Sequence, residues 1–204
     1  MPYEKRASMP PATPSPAICL RPATADDAEA LSRIYAPYVE TTAITFEYEA
    51  PTAEEFRRRI AETEERYPWL VACGQDDPSH IFGYAYASVY HGRPAYWWSV
   101  ETSIYLAQDA RGKGIGRILH DGLVEELKRR GIQNMYACIT AIPESRRGDP
   151  YLTDASIRFH TKLGYRMIGR FQECGYKFSR WYDVVWMELM IGGHPVPAPS
   201  LPWQ

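Results

Sequence analysis

The sequence predicts an α/β protein: a mixed sheet with helices on both sides. Three observations carry that reading. Strand-like runs follow one another directly between residues 69 and 106. Strand and helix patterns then alternate to residue 191. The span 17–192 contains no internal repeat and reads as one domain.

The elements follow in order. "AICLRPA" is a first strand. "TADDAEALSRIYAPYVE" is a helix with Thr24 or Asp26 as its cap and Ala28, Leu31, Ile34 and Tyr35 on one face. "PTAEEFRRRIAETEERY" opens with Pro51 and a Thr52–Glu55 capping box, carries Phe56 and Ile60 as its apolar stripe, and turns a Glu/Arg-rich face to solvent. "WLVAC", "IFGYAYASVY" and "YWWSVETSIYL" are three strands. A helix from about Gly114 to Arg130 places Ile115, Ile118, Leu119, Leu123 and Leu127 at helical spacing and stops at Gly131. "NMYACITA" is a strand, and "TDASIRFHTKLGY" a shorter helix capped by Thr153 or Asp154 and ended by Gly164. "YRMIGRFQEC" and "WYDVVWMELMI" close the domain as strands. Residues 1–16 and the Pro-rich tail 193–204 lack periodicity and are expected to be disordered.

With 204 residues, 45% of them apolar and 24% charged, the chain resembles an ordinary globular domain with room for a real core. A net charge of −2 gives no global reason to expect nucleic acid. No apolar run is long enough to span a membrane, and the N-terminus lacks the apolar stretch of a secretory signal. The four cysteines, Cys19, Cys73, Cys138 and Cys174, are far apart and form no CxxC pair. They read as free thiols in a reducing cytoplasm, with no metal site or disulfide framework.

The most informative stretch is "QDARGKGIGR", where Gly112, Gly114 and Gly116 alternate with Arg111, Lys113, Ile115 and Arg117 between a strand and a helix. A helix N-terminus offers unpaired N–H groups and partial positive charge, and glycine lets an anion approach the backbone. An oligophosphate is the natural guest. GxxxxGK[ST] is absent, and the spacing misses GxGxxG.

What the turn does match is R-x-x-G-x-G. In this position it resembles the acyl-CoA loop of the GCN5-related N-acetyltransferases (GNAT), and the element order resembles theirs over nearly the whole domain. "RIAETEERYPWLVA", "GYAYAS", "AYWWSVETSIYL", "SIRFHTKLGY" and "GYKFSRWYDVVWMEL" resemble the phosphinothricin and methionine sulfoximine acetyltransferases within that superfamily. The resemblance implies the GNAT fold, with a mostly antiparallel sheet of about seven strands and about four helices. It also implies acetyl transfer from acetyl-CoA to the α-amine of a small amino-acid-like compound, and a homodimer.

Roles can then be placed on residues. The turn from Arg111 through Gly112, Lys113, Gly114, Ile115 and Gly116 to Arg117 would anchor the diphosphate. The resemblance implies that Ile104, Tyr105 and Leu106 offer backbone groups to the pantetheine arm, with Thr153 and Ser156 close to the cofactor. In "VETSIYL", period two puts Glu101, Ser103 and Tyr105 on one face. A carboxylate inside an apolar strand has a raised pKa that suits a general base, and the family's catalytic Glu matches here. His160 matches a family position near the CoA sulfur; protonating the thiolate is its first reading and assisting as base its rival. Arg93, Tyr96, Phe46 and Tyr105 match substrate residues, and Arg93 is suited to a carboxylate or phosphinate. Tyr96 reaches the side of Glu101 only if the strand is broken between them. His91 and Thr153 depart from the family's residues, and "IPESRRGDPYL" is longer than its usual loop. The competing expectations are another amine acceptor (polyamine, aminoglycoside or protein N-terminus) and a non-catalytic acyl-CoA-binding module.

Overall fold

Alternating apolar residues along consecutive strands need covering on both faces, and the two long amphipathic helical regions supply the covers. The computed structural model describes residues 17–203; the 1–16 lead and Gln204 lie outside the described residues. The order is β1 (Ile18–Pro22), α1 (Ala28–Thr41), α2 (Ala53–Glu64), β2 (Trp69–Gly74), β3 (Ile81–Val89), β4 (Ser99–Leu106), α3 (Ile115–Arg129), β5 (Asn134–Ala141), α4 (Ala155–Lys162), β6 (Arg166–Lys177) and β7 (Arg180–Met190). The seven strands run β1-β2-β3-β4-β5-β7-β6 across one sheet. Every pairing is antiparallel except β4–β5. The α/β class and element order agree with the sequence.

One face of the sheet buries Leu70, Ala85, Val100 and Met135 against Ile115, Leu119, Leu123 and Leu127 of α3. Ile118, counted with that stripe, faces solvent instead. The other face buries Trp69, Val71 and Tyr84 against Leu31, Tyr35 and Tyr38 of α1 and Phe56 and Ile60 of α2. Each large side chain so buried is worth roughly 1.5–3 kcal/mol.

The helix ends explain their sequences. Thr24 N–H donates to Asp27 Oδ2 at 2.7 Å, starting a short 3₁₀ turn that leads into α1. Thr52 Oγ1 accepts from Glu55 N–H at 3.2 Å. Only that half of the predicted capping box forms, because the Glu55 carboxylate is taken by Arg58 and Arg59. α3 ends in a Schellman arrangement: Ile132 N–H donates to Leu127 O at 3.1 Å and Gly131 N–H to Lys128 O at 3.0 Å.

The C-terminal tail departs from the expectation of disorder. Leu201 is buried, the Trp203 ring packs edge-on against Tyr67 at 5.2 Å, and Trp98 Nε1 donates to Pro199 O at 2.8 Å. Proline prevents regular structure there but not packing, and the apolar Leu and Trp find a groove beside the end of α3.

Candidate active site

The sheet forks in its middle. β4 and β5 pair over three residues, Ser99 to Glu101 against Asn134 to Tyr136. Beyond that point β4 follows β3 as far as Leu106, while β5 follows β7 as far as Ala141. The narrow gap is lined by Ile104 and Ser103 of β4, Cys138 of β5, Ser156 and His160 of α4, and Ile44 from the α1–α2 connection.

Backbone direction in the fork follows from one bond. Ala107 N–H donates to Phe82 O at 2.8 Å, so the odd-numbered residues of β4 exchange bonds with β3 and the even-numbered ones turn toward the fork. The Tyr105 backbone is therefore spent on β3. Leu106 does face the fork, but the Tyr38 hydroxyl accepts from its N–H at 3.0 Å and donates to its C=O at 2.7 Å. Of the three positions expected to offer free backbone, Ile104 alone does so. The Tyr105 ring, packed edge-on against Tyr35 and Tyr38, is part of the aromatic core under α1.

At the mouth of the fork the chain turns into α3. Gly112 and Gly114 hold φ of 74° and 83°, a left-handed backbone that residues with a Cβ resist. The turn delivers the N–H groups of Ile115 and Gly116, which have no intrahelical acceptor, at the positive end of a 15-residue helix. A Cβ on Gly116 would lie 3.3 Å from the Phe159 ring, so the third glycine lets α3 and α4 pack closely. Arg111 lies over the Tyr38 ring at 4.7 Å, and Lys113 is exposed. Arg117 is turned the other way, its guanidinium donating to Lys162 O at 3.3 Å. The mouth thus presents backbone donors flanked by two cations, a seat for a diphosphate.

Glu101 sits at the crotch of the fork. It is half-buried between Ser88 of β3 and Tyr136 of β5, and no hydrogen bond or ion pair engages its carboxylate among the described residues. Burial raises its pKa above the ordinary Glu value. His160 is buried on α4, and its Nδ1 lies 2.8 Å from Ser156 O. A carbonyl can only accept, so Nδ1 carries the proton and Nε2 keeps its lone pair. Burial lowers the His160 pKa and favours this neutral form. Thr153 Oγ1 accepts from Ala155 N–H at 3.3 Å at the start of the same helix.

The remaining predicted residues form the rim. Pro94–Tyr96 is a 3₁₀ turn, so β4 begins at Ser99 and the required break between Tyr96 and Glu101 is present. Arg93 is exposed and lacks an ion-pair partner among the described residues. Tyr96 packs on His91 and Tyr90, and Tyr90 stacks on Tyr136 at 4.3 Å, leading an aromatic surface back to Glu101. Phe46 does not line the fork. Its ring covers the backbone of Gly175, where an added Cβ would meet it at 2.1 Å, and Ile44 takes the lining position instead. Leu152, from the long 142–152 loop, also lines the fork. That loop is fixed by buried Asp149, which accepts from Arg146 at 2.6 Å, Tyr151 N–H at 2.9 Å and the Tyr182 hydroxyl at 3.1 Å.

Sequence reasoning missed the lining residues Ile44 and Leu152 and four further contributors. Tyr38 looked like one more core aromatic at helical spacing. Tyr90 and Tyr136 looked like ordinary strand residues. Lys177 is the fourth: it is 2% exposed, and its Nζ donates to Thr45 O at 2.8 Å, fixing the segment that carries Ile44. A lysine between aromatics in "GYKFSRW" was the available signal. No cluster of three or more His, Cys, Asp or Glu among the described residues is placed to hold a metal ion.

Comparison with known proteins gives the family and the fold. The acetyltransferase (GNAT) domain family matches residues 20–186. A phosphinothricin N-acetyltransferase of Streptomyces coelicolor is 37% identical over 170 residues, 83% of this chain and 94% of that protein. An L-methionine sulfoximine/L-methionine sulfone acetyltransferase of Pseudomonas paraeruginosa is 33% identical over 173 residues, 84% of this chain and 94% of that protein. A GNAT superfamily phosphinothricin acetyltransferase from Sinorhizobium meliloti, solved in complex with AcCoA, superposes with a TM-score of 0.77 at 32% identity, covering 91% of this chain and 94% of that one.

Proposed function

The chain belongs to the acetyltransferase (GNAT) family, and from that premise we propose that it moves acetyl from acetyl-CoA directly to the free α-amine of a small amino-acid-like substrate. The substrate class is that of phosphinothricin, methionine sulfoximine and methionine sulfone. The forked sheet carries the reading: a thin, extended thioester fits between β4 and β5, with its diphosphate at the start of α3. The names of the relatives and the AcCoA complex of the Sinorhizobium protein support the same choice.

The steps follow from the groups present. Ile115 and Gly116 N–H groups, with Arg111 and Lys113, hold the diphosphate. Ile104 N–H polarises the thioester oxygen, where charge develops in the tetrahedral intermediate. Glu101 takes the proton of the substrate ammonium, and the neutral nitrogen attacks the carbonyl carbon. The nitrogen then gives up its second proton, the C–S bond breaks with the acetyl left on nitrogen, the CoA thiolate takes up one proton to leave as the thiol, and the other passes from Glu101 to solvent. His160 is a proton acceptor in its neutral Nδ1-protonated form. Of the two roles weighed for it, assisting Glu101 as base therefore fits better than donating to the thiolate. Arg93 grips the acidic group of the amino acid, and Tyr96 and Tyr90 wall its side chain. The half-exposed Met167, Phe171 and Trp181 of the β6–β7 hairpin suit a homodimer contact. No helix among the described residues is long and apolar enough to cross a membrane, and we assign the enzyme to the cytoplasm.

The test is thiol release from acetyl-CoA over a panel of amines. The expected result is turnover with phosphinothricin, methionine sulfoximine or methionine sulfone, and little with spermidine or a short peptide. Turnover confined to spermidine or the peptide overturns the substrate assignment.

A further inference from the structure

Two cysteines that the sequence holds 54 positions apart face each other across the edge of the sheet. Among the described residues β1 is an outermost strand, bonded along one side only, and Cys19 is the register partner of Cys73 on β2. Gln75 N–H donates to Ala17 O at 2.9 Å and Ala23 N–H donates to Trp69 O at 2.8 Å. Counting by twos from either bond, Cys19 and Cys73 form a hydrogen-bonded pair. Such pairs hold their Cα atoms at about 5.5 Å, inside the range of about 4.4–6.8 Å that disulfides span. Both side chains lie on one face, with the sulfurs 2.8 Å apart. An approach of about 0.8 Å more would reach the S–S bond length of about 2.05 Å.

The surroundings distinguish the two sulfurs. Cys73 is fully buried and Cys19 half-buried, so solvent reaches Cys19 first. Burial and the neighbouring Cys19 sulfur push the Cys73 thiol up to about 11, and the guanidinium of Arg21, two residues along the same face from Cys19, opposes that only in part. Asp27 holds Arg21 there through two bonds of 2.7 Å.

We infer that Cys19 and Cys73 form a reversible two-electron redox site whose oxidant is a hydroperoxide, and that oxidation closes a cross-strand disulfide tying the edge strand β1 to β2. The Cys19 thiolate attacks a peroxide oxygen. The O–O bond breaks, hydroxide leaves and takes a proton, and Cys19 becomes a sulfenic acid. The Cys73 thiol gives up its proton and attacks the Cys19 sulfur, the S–O bond breaks, and the leaving hydroxide takes that proton to depart as a second water. Two thiols and hydrogen peroxide give one disulfide and two waters. Excess thiol reverses the change. The bond would enclose α1, α2 and the Ile44 segment in one covalent loop.

The experiment treats the reduced full chain with hydrogen peroxide at one to five equivalents. It then blocks free thiols with N-ethylmaleimide and maps the peptides by mass spectrometry. The expected result is a Cys19–Cys73 peptide linked within one chain, with Cys138 and Cys174 alkylated. The melting temperature should rise by about 5 °C, reversed by dithiothreitol. Cys19→Ser should abolish the link, and Cys138→Ser should leave it intact. Should Cys19→Ser fail to fold, the peptide map of the unmodified sequence decides alone. Recovery of Cys19 and Cys73 both alkylated, or linked only between chains, overturns the inference.

Discussion

Replacing Glu101 by Gln should make the protein more stable and much slower, and the stability gain should depend on pH. The carboxylate is half-buried in a central strand with no partner among the described residues, and its pKa is raised by burial. The folded state therefore holds this proton more tightly than the unfolded chain. Below the ordinary carboxylate pKa both states are protonated and the group costs nothing. As pH rises through that value the unfolded state releases its proton first, so stability falls until the folded pKa is passed and stays lower above it. Glutamine has no charge to bury. At pH 7.5 the variant should gain about 0.5–1 kcal/mol, the lower part of the range for relieving a functional-site cost because solvent screens part of the charge. That corresponds to about 1–4 °C in a chain of this size. Near pH 4 the gain should shrink toward zero. Turnover should fall by about 10²–10⁴, with the affinity for coenzyme A within about twofold of the parent. Thermal melts at the two pH values, calorimetry with coenzyme A and steady-state thiol release measure all three. A variant less stable than its parent at pH 7.5, or equally shifted at both pH values, would show that the carboxylate is paired. An unchanged turnover would remove it from the proton path.

Two further outcomes follow. Arg93→Ala should raise KM for an anionic amino acid by about 10-fold or more, the worth of a charge-assisted pair, and move KM for acetyl-CoA less than twofold; equal changes in both would discard the clamp. Lys177→Met keeps the buried stem but loses the bond to Thr45 O, so KM for the amine should rise several-fold. The melting temperature should stay within about 3 °C, since losing a charge-assisted bond and relieving a buried ammonium offset each other. An unaltered KM would mean that the Ile44 segment holds its place without this tie.

The parts of the fold set by local chemistry were legible, and the parts set by long-range pairing were not. β5 was read to the residue because its alternation is bounded by a helix stop and a proline. The pattern predicts β4 from Tyr96, because Tyr96, Trp97 and Trp98 look like a strand, but Pro94 opens a 3₁₀ turn and the strand begins at Ser99. The β6–β7 hairpin was left open because its turn residues, Phe178 and Ser179, adopt φ of 50° and 57° without the glycine or asparagine that signals such turns. Glu101, His160 and the glycine turn stood out because each puts an unusual residue type in a regular pattern. Tyr38 on Leu106 and Cys19 against Cys73 depend on which strand lies beside which, and no periodicity within a segment encodes that.

An ordinary open sheet exposes two borders, one at each side. By dividing halfway, this one gains two more, and they look at each other instead of outward. Another protein's strand, wide with side chains, would have to fit a cleft that Ile44 and Leu152 also line. A slender unbranched molecule meets no such obstacle. The enzyme thus keeps unsatisfied main-chain groups in its interior without inviting aggregation through them, and the same narrowness selects the shape of what it admits.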